Sequence, residues 1–408
     1  MMPKINDFTE GKTLSNVASP LDGIKVLDFS QGISGGIATK MLAVMGAEVI
    51  KIESPQSGDI SRSRGPFIDN IPHPEKSGQF LYLNMNKKGI TLSLDNETGI
   101  DIATQLIEWA DIIVENFLPG KMDEWGIGYS AIEQINPAKI LVSLSPFGQT
   151  GPYKGYRGND ITAQSLGGLA FVTGDPSREP LQIGGEPAEY FCGLSGFSGA
   201  LVASTYKEIS GVGQHVDVSA QAGIGVAQMY SGLSYILTGK ERGRRLASSP
   251  LYKTADGQVG ITLRQTDWPG VCEMIGRPEL EHDEKFKDMD AREKNQDEIT
   301  ALIAEWASDK KKQDLYHASQ ERGMTWGYIC DAKDLIESPQ YQHREYFVEL
   351  EHPIAGKLTY PGLPMKWGGD QWNLKPAPTL GQHNEEVYGS LLGWDNEKIN
   401  QMKNSGIV

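Results

Sequence analysis

Hydrophobic residues in the first part of the chain come in short unbroken runs. "IKVLDFS" at 24–30, "AEVIKIE" at 47–53, "GITLSL" at 89–94 and "DIIVENF" at 111–117 are four of them. Runs of this kind read as buried strands. Between the first two, "GISGG" reads as a turn and "IATKMLAVMG" as a helix closed by Gly46. Strand, glycine turn, helix, strand is a βαβ unit, which predicts a parallel sheet. "ETGIDIATQLIEWA" supplies the helix of a second unit, and "AIEQINPAKILVSLSPFG" adds a third. The opening region is therefore expected to be an open α/β domain.

The pattern then changes. From 190 to 238 small residues dominate, as in "GLSGFSGALVAS", and suit helices packed closely through Gly, Ala and Ser. "LYKTADGQVGITL" predicts a hairpin with Asp256-Gly257 at its turn. Residues 280–323 are charged and helical, the signature of a solvated second-domain surface. Beyond 350 the chain is rich in Pro and Gly and reads as extended arms ending in a short helix. The arms carry Tyr360, Leu363 and Trp367, which would need a partner chain to cover them.

Composition narrows the function. A chain of 408 residues that is 39% hydrophobic can bury a large core, and suits two domains better than one. The net charge of −15 argues against nucleic acid as a partner. Cys192, Cys272 and Cys330 lack metal-ligand spacing, and so few cysteines fit a reducing compartment. His215, His343 and His383 show no ligand spacing either, so no metal is expected. The first residues lack the apolar core of a signal peptide, and no apolar stretch is long enough to span a bilayer. A cytoplasmic protein without a membrane partner is the expectation.

"SQGISGG" after a strand, with Glu53 further on, imitates a dinucleotide site. The glycines Gly32, Gly35 and Gly36 do not have G-x-G-x-x-G spacing, so NAD and FAD are set aside. Another stretch carries chemistry. In "GEPAEYFCGLSGFSGAL", at 185–201, Glu186 and Glu189 bracket Pro187 ahead of glycines suited to close backbone contact. Either the acids decorate a solvated turn, or one of them is held for reaction.

Six segments, in order, resemble the class III CoA-transferase family, which also contains α-methylacyl-CoA racemase. They are "LDGIKVLDFS" with "LAVMGAEVIKIESPQSGD", "YLNMNKKGITLSLDNETG", "ADIIVENFLPGKMDEWGIGY", "ILVSLSPFGQTGPY", "GVGQHVDVSAQ" and "APTLGQHNEEVYGSLLGW". The resemblance implies a Rossmann-like large domain built from both chain ends, a smaller middle domain, and an intertwined, ring-like dimer. Mapped onto this chain, it gives a CoA-binding α/β domain over 1–210, a linker helix over 211–235, a small domain over 236–330 and a return arm over 331–408.

The resemblance also implies roles. Glu189 takes the place of the family's nucleophilic aspartate, with Gly193 as the glycine four residues on. A carboxylate can attack an acyl-CoA thioester, form a mixed anhydride and then an enzyme thioester, and so divide one acyl exchange into easier steps. The nearby glycines would offer N–H groups to the developing oxyanion. Lys51, Arg62, Arg64, Asn86, Lys87, Lys88, Asn116 and Phe117 are the expected CoA contacts, with Phe117 near the adenine or pantetheine. Where relatives carry a basic residue in "PGKMDEWG", this chain has Glu124. Ile33 and Ser34 would lie by the thioester, Ile33 replacing a glutamine found in some relatives. Asn159 stands where racemases carry histidine and cannot titrate, which argues against racemisation. Asp160 is read as the N-cap before "ITAQSL", with a supporting hydrogen-bond role as the alternative.

CoA and acyl-CoA would be substrates, with no separate cofactor, and a carboxylic acid the acceptor. The assembly would be a homodimer or a heteromer with a related subunit. A non-catalytic partner subunit, glutamate replacing aspartate, is the alternative function.

Overall fold

A computed structural model describes residues 19–241, 243, 251–366 and 373–408. The opening segment and Trp367 lie outside the described residues. The chain forms two compact units. The first takes residues through Thr173, Leu181–Arg242 and Tyr346–Val408; the second takes Gly174–Pro180 and Gly243–Glu345. The chain thus re-enters the first unit at Tyr346, later than the 331 expected from the sequence.

The first unit is built on six parallel strands: β1 (Lys25–Asp28), β2 (Glu48–Glu53), β3 (Lys88–Thr91), β4 (Ile112–Glu115), β5 (Ile140–Ser145) and β6 (His215–Ser219). Their order is β3-β2-β1-β4-β5-β6, with every neighbouring pair parallel. The direction of winding reverses between β1 and β4, where doubly wound sheets bind ligands. Successive residues of one strand enter opposite cores. Val26, Val49, Val114 and Val142 face one cluster; Leu27, Ile50, Ile113 and Leu141 face the other. Burial on both faces is why these strands read as unbroken apolar runs.

Helix α1 (Gly32–Val44) begins inside "GISGG", so the expected turn is the first turn of the helix. The glycines are there for contact. A Cβ on Gly35 would lie 1.9 Å from Ser30 Oγ, and one on Gly36 would lie 3.1 Å from Leu83 Cβ. Further helices are α2 (Gly78–Leu83), α3 (Glu97–Trp109), α4 (Asp160–Leu166), α5 (Pro187–Ser210), α6 (Ala220–Ala227) and α7 (Met229–Thr238). The expected linker helix over 211–235 is instead strand β6 followed by α6 and most of α7.

The chain's end closes the first unit. Val387, Tyr388 and Ile399 join the core beside α3, and Tyr388 Oη donates to Thr91 O at 2.7 Å. Of the expected arms, 347–361 is a hairpin of Phe347–His352 and Gly356–Pro361. Tyr360 and Leu363 are buried within this same chain, so they do not need a partner to cover them.

The second unit has its own core, including Trp268, Phe286, Ile299 and Ile303. Its hairpin pairs Leu251–Thr254 with Gly257–Gly260. The turn is therefore Ala255-Asp256, one residue earlier than predicted. Among the described residues no helix is long and apolar enough to cross a membrane.

Buried charge holds the carboxyl edge of the sheet. Asp28 ends β1, fully buried, and accepts from Ser30, from Thr39 Oγ1 at 2.7 Å and from Lys87 Nζ at 3.0 Å. Burial by itself would push its carboxyl up; Lys51 and Lys87, with Ser30 and Thr39, hold it at about 2. A depressed acid contributes stability that is present above its unfolded value and lost as pH falls toward 2. Asp28→Asn leaves two buried cations short of an anion and should cost about 3–5 kcal/mol of unfolding free energy at neutral pH. Denaturant titration checks this, and a loss of less than about 1 kcal/mol would contradict it.

Candidate active site

Helix α5 starts under strain. Its N-cap, Glu186, has φ 54° and ψ 49°, and its side chain does not cap the helix. Asp160 does so from α4: its Oδ1 accepts the Ala188 N–H at 2.8 Å. Gln164 Nε2 at 2.5 Å and Gln182 Nε2 at 3.1 Å hold its other oxygen. The N-cap of α4 itself is Asn159, whose Oδ1 accepts the Thr162 N–H at 3.2 Å. Asp160 therefore takes the supporting role, and Asn159 the capping role that was expected of Asp160.

Glu189 lies in the first turn of α5. Its carboxyl is held above the ordinary carboxylate value, mainly by burial and further by the charges of Asp160 and Glu186. Hydrogen bonds from the Ser34 side chain and backbone pull the other way. What brings Ser34 there is Gly193, four residues on and on the same helix face as Glu189. A Cβ on Gly193 would lie 2.2 Å from Ile37 Cγ2 and 2.3 Å from Ser34 O. Gly193 is thus the contact between α1 and α5.

Asn116, just past β4, fixes the start of α1. Its Oδ1 accepts the Gln31 N–H at 2.8 Å, and its Nδ2 donates to Gln31 O at 2.7 Å and to Ser34 Oγ at 3.3 Å. The loops after β1 and β4 are thereby clamped at the point where the winding reverses. Asn116 has most of its bonding capacity in this clamp, which differs from the CoA contact expected of it. Ile33, expected at the thioester, is buried in the core. Cys192 is buried too, and its thiol is pushed up to about 12 by burial and by Glu189, so it is unreactive.

Three of the expected phosphate-binding cations are inaccessible. Lys51 Nζ is fully buried between Asp59 at 2.8 Å and Ser30 O at 2.8 Å. Lys87 Nζ donates to Asp28, to Gly36 O at 3.1 Å and to Asn84 Oδ1 at 2.8 Å, which uses all three of its protons. Arg62 grips Glu53 with two nitrogens and Glu75 with a third, and donates to Pro378 O at 3.2 Å. Asn86 is also used internally, bonding Asn373 O and the Lys375 N–H, each at 2.8 Å. These residues hold the fold because burying a cation is tolerable only when its donors are satisfied. Lys88 reaches solvent but already meets Glu48 and Glu386, each at 2.7 Å. Arg64 is half exposed.

Phe117 stands edge-on to Trp125, with ring centroids 5.0 Å apart. Lys121 lies 5.0 Å from the Trp125 ring and pairs with Glu124 at 3.0 Å. It is a basic residue in "PGKMDEWG" that attention to position 124 overlooked. The sequence reading also missed Gln31 and Gln79, and Glu115. Burial pushes the Glu115 carboxyl up to about 7 against hydrogen bonds from Ser143 and the Phe117 N–H. No local signal marks Glu115, because "IIVEN" reads as strand whichever way its acid points.

Among known proteins, the profile of CoA-transferase family III matches residues 21–384. Succinyl-CoA–D-citramalate CoA-transferase of Chloroflexus aurantiacus is 33% identical over 405 residues, covering 95% of this chain and 98% of that protein. Formyl-CoA:oxalate CoA-transferase of Streptomyces coelicolor is 31% identical, covering 96% and 100%. The crystal structure of a CAIB/BAIF family protein from Brucella suis superposes with a TM-score of 0.83 at 29% identity, covering 92% and 100%.

Ser34→Ala removes the side-chain hydrogen bond that favours the charged form of Glu189. The carboxyl should then titrate higher still. Carbon NMR of labelled glutamate, with Glu189→Gln to assign the signal, reads this; a downward or absent shift would contradict the contact.

Proposed function

The chain belongs to CoA-transferase family III, and from that premise we propose that it moves CoA from an acyl-CoA to a carboxylic acid with Glu189 as nucleophile. One observation carries the reading: the acid at the family's nucleophile position is a largely buried carboxylate, faced by Ser34 beside the sheet's reversal point. A Glu189 oxygen attacks the thioester carbonyl and the CoA thiolate leaves, giving a mixed anhydride. The thiolate attacks the glutamyl carbonyl, releasing the donor acid and leaving an enzyme thioester. The acceptor carboxylate then displaces the thiolate, and the thiolate takes the acceptor acyl group, restoring Glu189. No metal or redox cofactor enters this sequence.

Only the ionised form attacks. Because Glu189 is held high, activity should fall on the acid side at a higher pH than for an ordinary carboxylate. The side chain is longer than aspartate by about 1.5 Å.

The nucleotide of CoA is placed beside Phe117 and Trp125, with Lys121 as its phosphate cation. Two variants separate the roles. Glu189→Gln should abolish turnover while keeping CoA affinity; Lys121→Glu should weaken CoA about tenfold and spare the chemical step. Hydroxylamine applied with acyl-CoA alone should leave a hydroxamate at residue 189. A chain with no such adduct, whose Gln variant equals wild type beside a related subunit, would be the non-catalytic partner instead.

The assembly is proposed to contain two such chains, or this one and a related subunit. Ile209, Val226, Ile236 and Leu237 are each at least 76% exposed, and no residue of the largely apolar α7 is buried. Such a surface calls for a partner. A reducing, cytoplasmic setting fits cysteines that stay unpaired. Light scattering should give at least twice the chain mass at micromolar concentration; a monomer mass would count against a permanent assembly.

A further inference from the structure

Glu115 ends β4 with its carboxyl buried, and the proposed reaction does not use it. Its Oε2 accepts the Phe117 N–H at 2.7 Å. Behind it a row of side chains crosses the sheet. Ser143 is its register partner on β5 and donates its hydroxyl proton to the Glu115 carboxyl. With that proton given away, Ser143 Oγ is left to accept from His215 Nε2 on β6, at 2.9 Å. The His215 ring in turn stacks on Tyr129, with centroids 5.1 Å apart. Burial pushes the Glu115 carboxyl up to about 7 against its two hydrogen bonds. The charges of Asp123, from the turn after β4, and of Asp217, on β6, push the same way. The residue between, Asn116, is clamped separately to Gln31 at the start of α1. Phe117 is thus held at its backbone by Glu115 and at its ring by the edge of Trp125.

We propose that Glu115 is a positioning residue for the Phe117–Trp125 pair, and that through this pair it sets how tightly the CoA nucleotide is held. The inference rests on the placement of the nucleotide beside those two rings. A carboxylate accepts the Phe117 N–H in a charge-assisted bond, about twice as strong as the neutral bond a carboxylic acid offers. The hold on Phe117 therefore tightens as Glu115 ionises. Removing the carboxyl strands the N–H, which must move to find another acceptor. The Asn116 clamp does not pass through Glu115, so Ser34 keeps its place before Glu189.

In proton–nitrogen NMR of the free protein, the Phe117 amide should move downfield as pH rises through about 7. Glu115→Gln keeps a neutral acceptor and should abolish that movement. In calorimetry with CoA, Glu115→Ala should weaken binding about tenfold, the cost of a donor left without its acceptor, and Glu115→Gln should restore most of it. The kcat at saturating acyl-CoA should not change. In a Phe117→Ala background, Glu115→Ala should cost no further affinity, since a residue acting through Phe117 then has nothing to act on. A Phe117 amide that does not titrate, CoA binding indifferent to Glu115→Ala, or an equal loss in both backgrounds would overturn the proposal. The two readings separate at Phe117 itself. If Phe117→Ala weakens CoA and Glu115→Ala does not, only the positioning role fails; if Phe117→Ala leaves CoA affinity intact, the placement of the nucleotide fails and takes this role with it. Thermal midpoints report whether each variant folds, and the amide titration in wild type and Glu115→Gln decides the contact even if Glu115→Ala does not.

Discussion

The approach of α5 to α1 at Gly193 is the contact on which the site depends. At that crossing a single methyl group would meet both Ile37 and the Ser34 carbonyl. With glycine there, the two helices come close enough for Ser34 to face Glu189 one turn earlier. Gly196 and Gly199 continue the same face, where a Cβ would lie 2.5 Å from Leu144 and 2.6 Å from Val216. Gly193 therefore sets the acid's distance from α1, while Gly196 and Gly199 seat the same helix against β5 and β6. They act through packing, and that packing decides what faces the carboxylate.

Charge is divided between scaffold and site along the sheet's carboxyl edge. Asp28, Lys51, Asp59 and Lys87 form one buried group, and Glu53, Arg62 and Glu75 another. Between them they tie β1 and β2 to the loops after them, and Arg62 adds the returning chain at Pro378. Beside this edge the start of α1, Gln31 to Ser34, is held by Asn116. The edge also takes up Lys51, Arg62 and Lys87 inside the fold, whereas Lys88, Arg64 and Lys121 reach solvent.

Glutamate asks more of its surroundings than a shorter acid would. A longer side chain has more conformers to restrict, and here Ser34 and the surrounding burial restrict it. Asp160 contributes indirectly. By accepting the Ala188 N–H it anchors the helix turn, and its negative charge raises the Glu189 carboxyl. The same arrangement leaves Glu186 facing outward toward Arg64.

Much of this protein is legible in its sequence. Doubly buried strands write themselves as apolar runs, and the glycine-closed helix between β1 and β2 declares a βαβ unit. The ordered motifs pointed to the family. Other features have no local signature. "VIKIE" reads the same whether its lysine meets a phosphate or lies between Asp28 and Asp59, because those acids come from other loops. "GISGG" looks like a turn until Ser30 and Leu83 show what its missing side chains make room for. "HVDVS" sits amid helical residues, and only pairing with β5 makes it the sixth strand. Local periodicity is determined by the chain alone. Which charges are buried, and which carboxylate is brought to face which hydroxyl, depends on segments far apart in sequence meeting at one edge, and tertiary packing decides it.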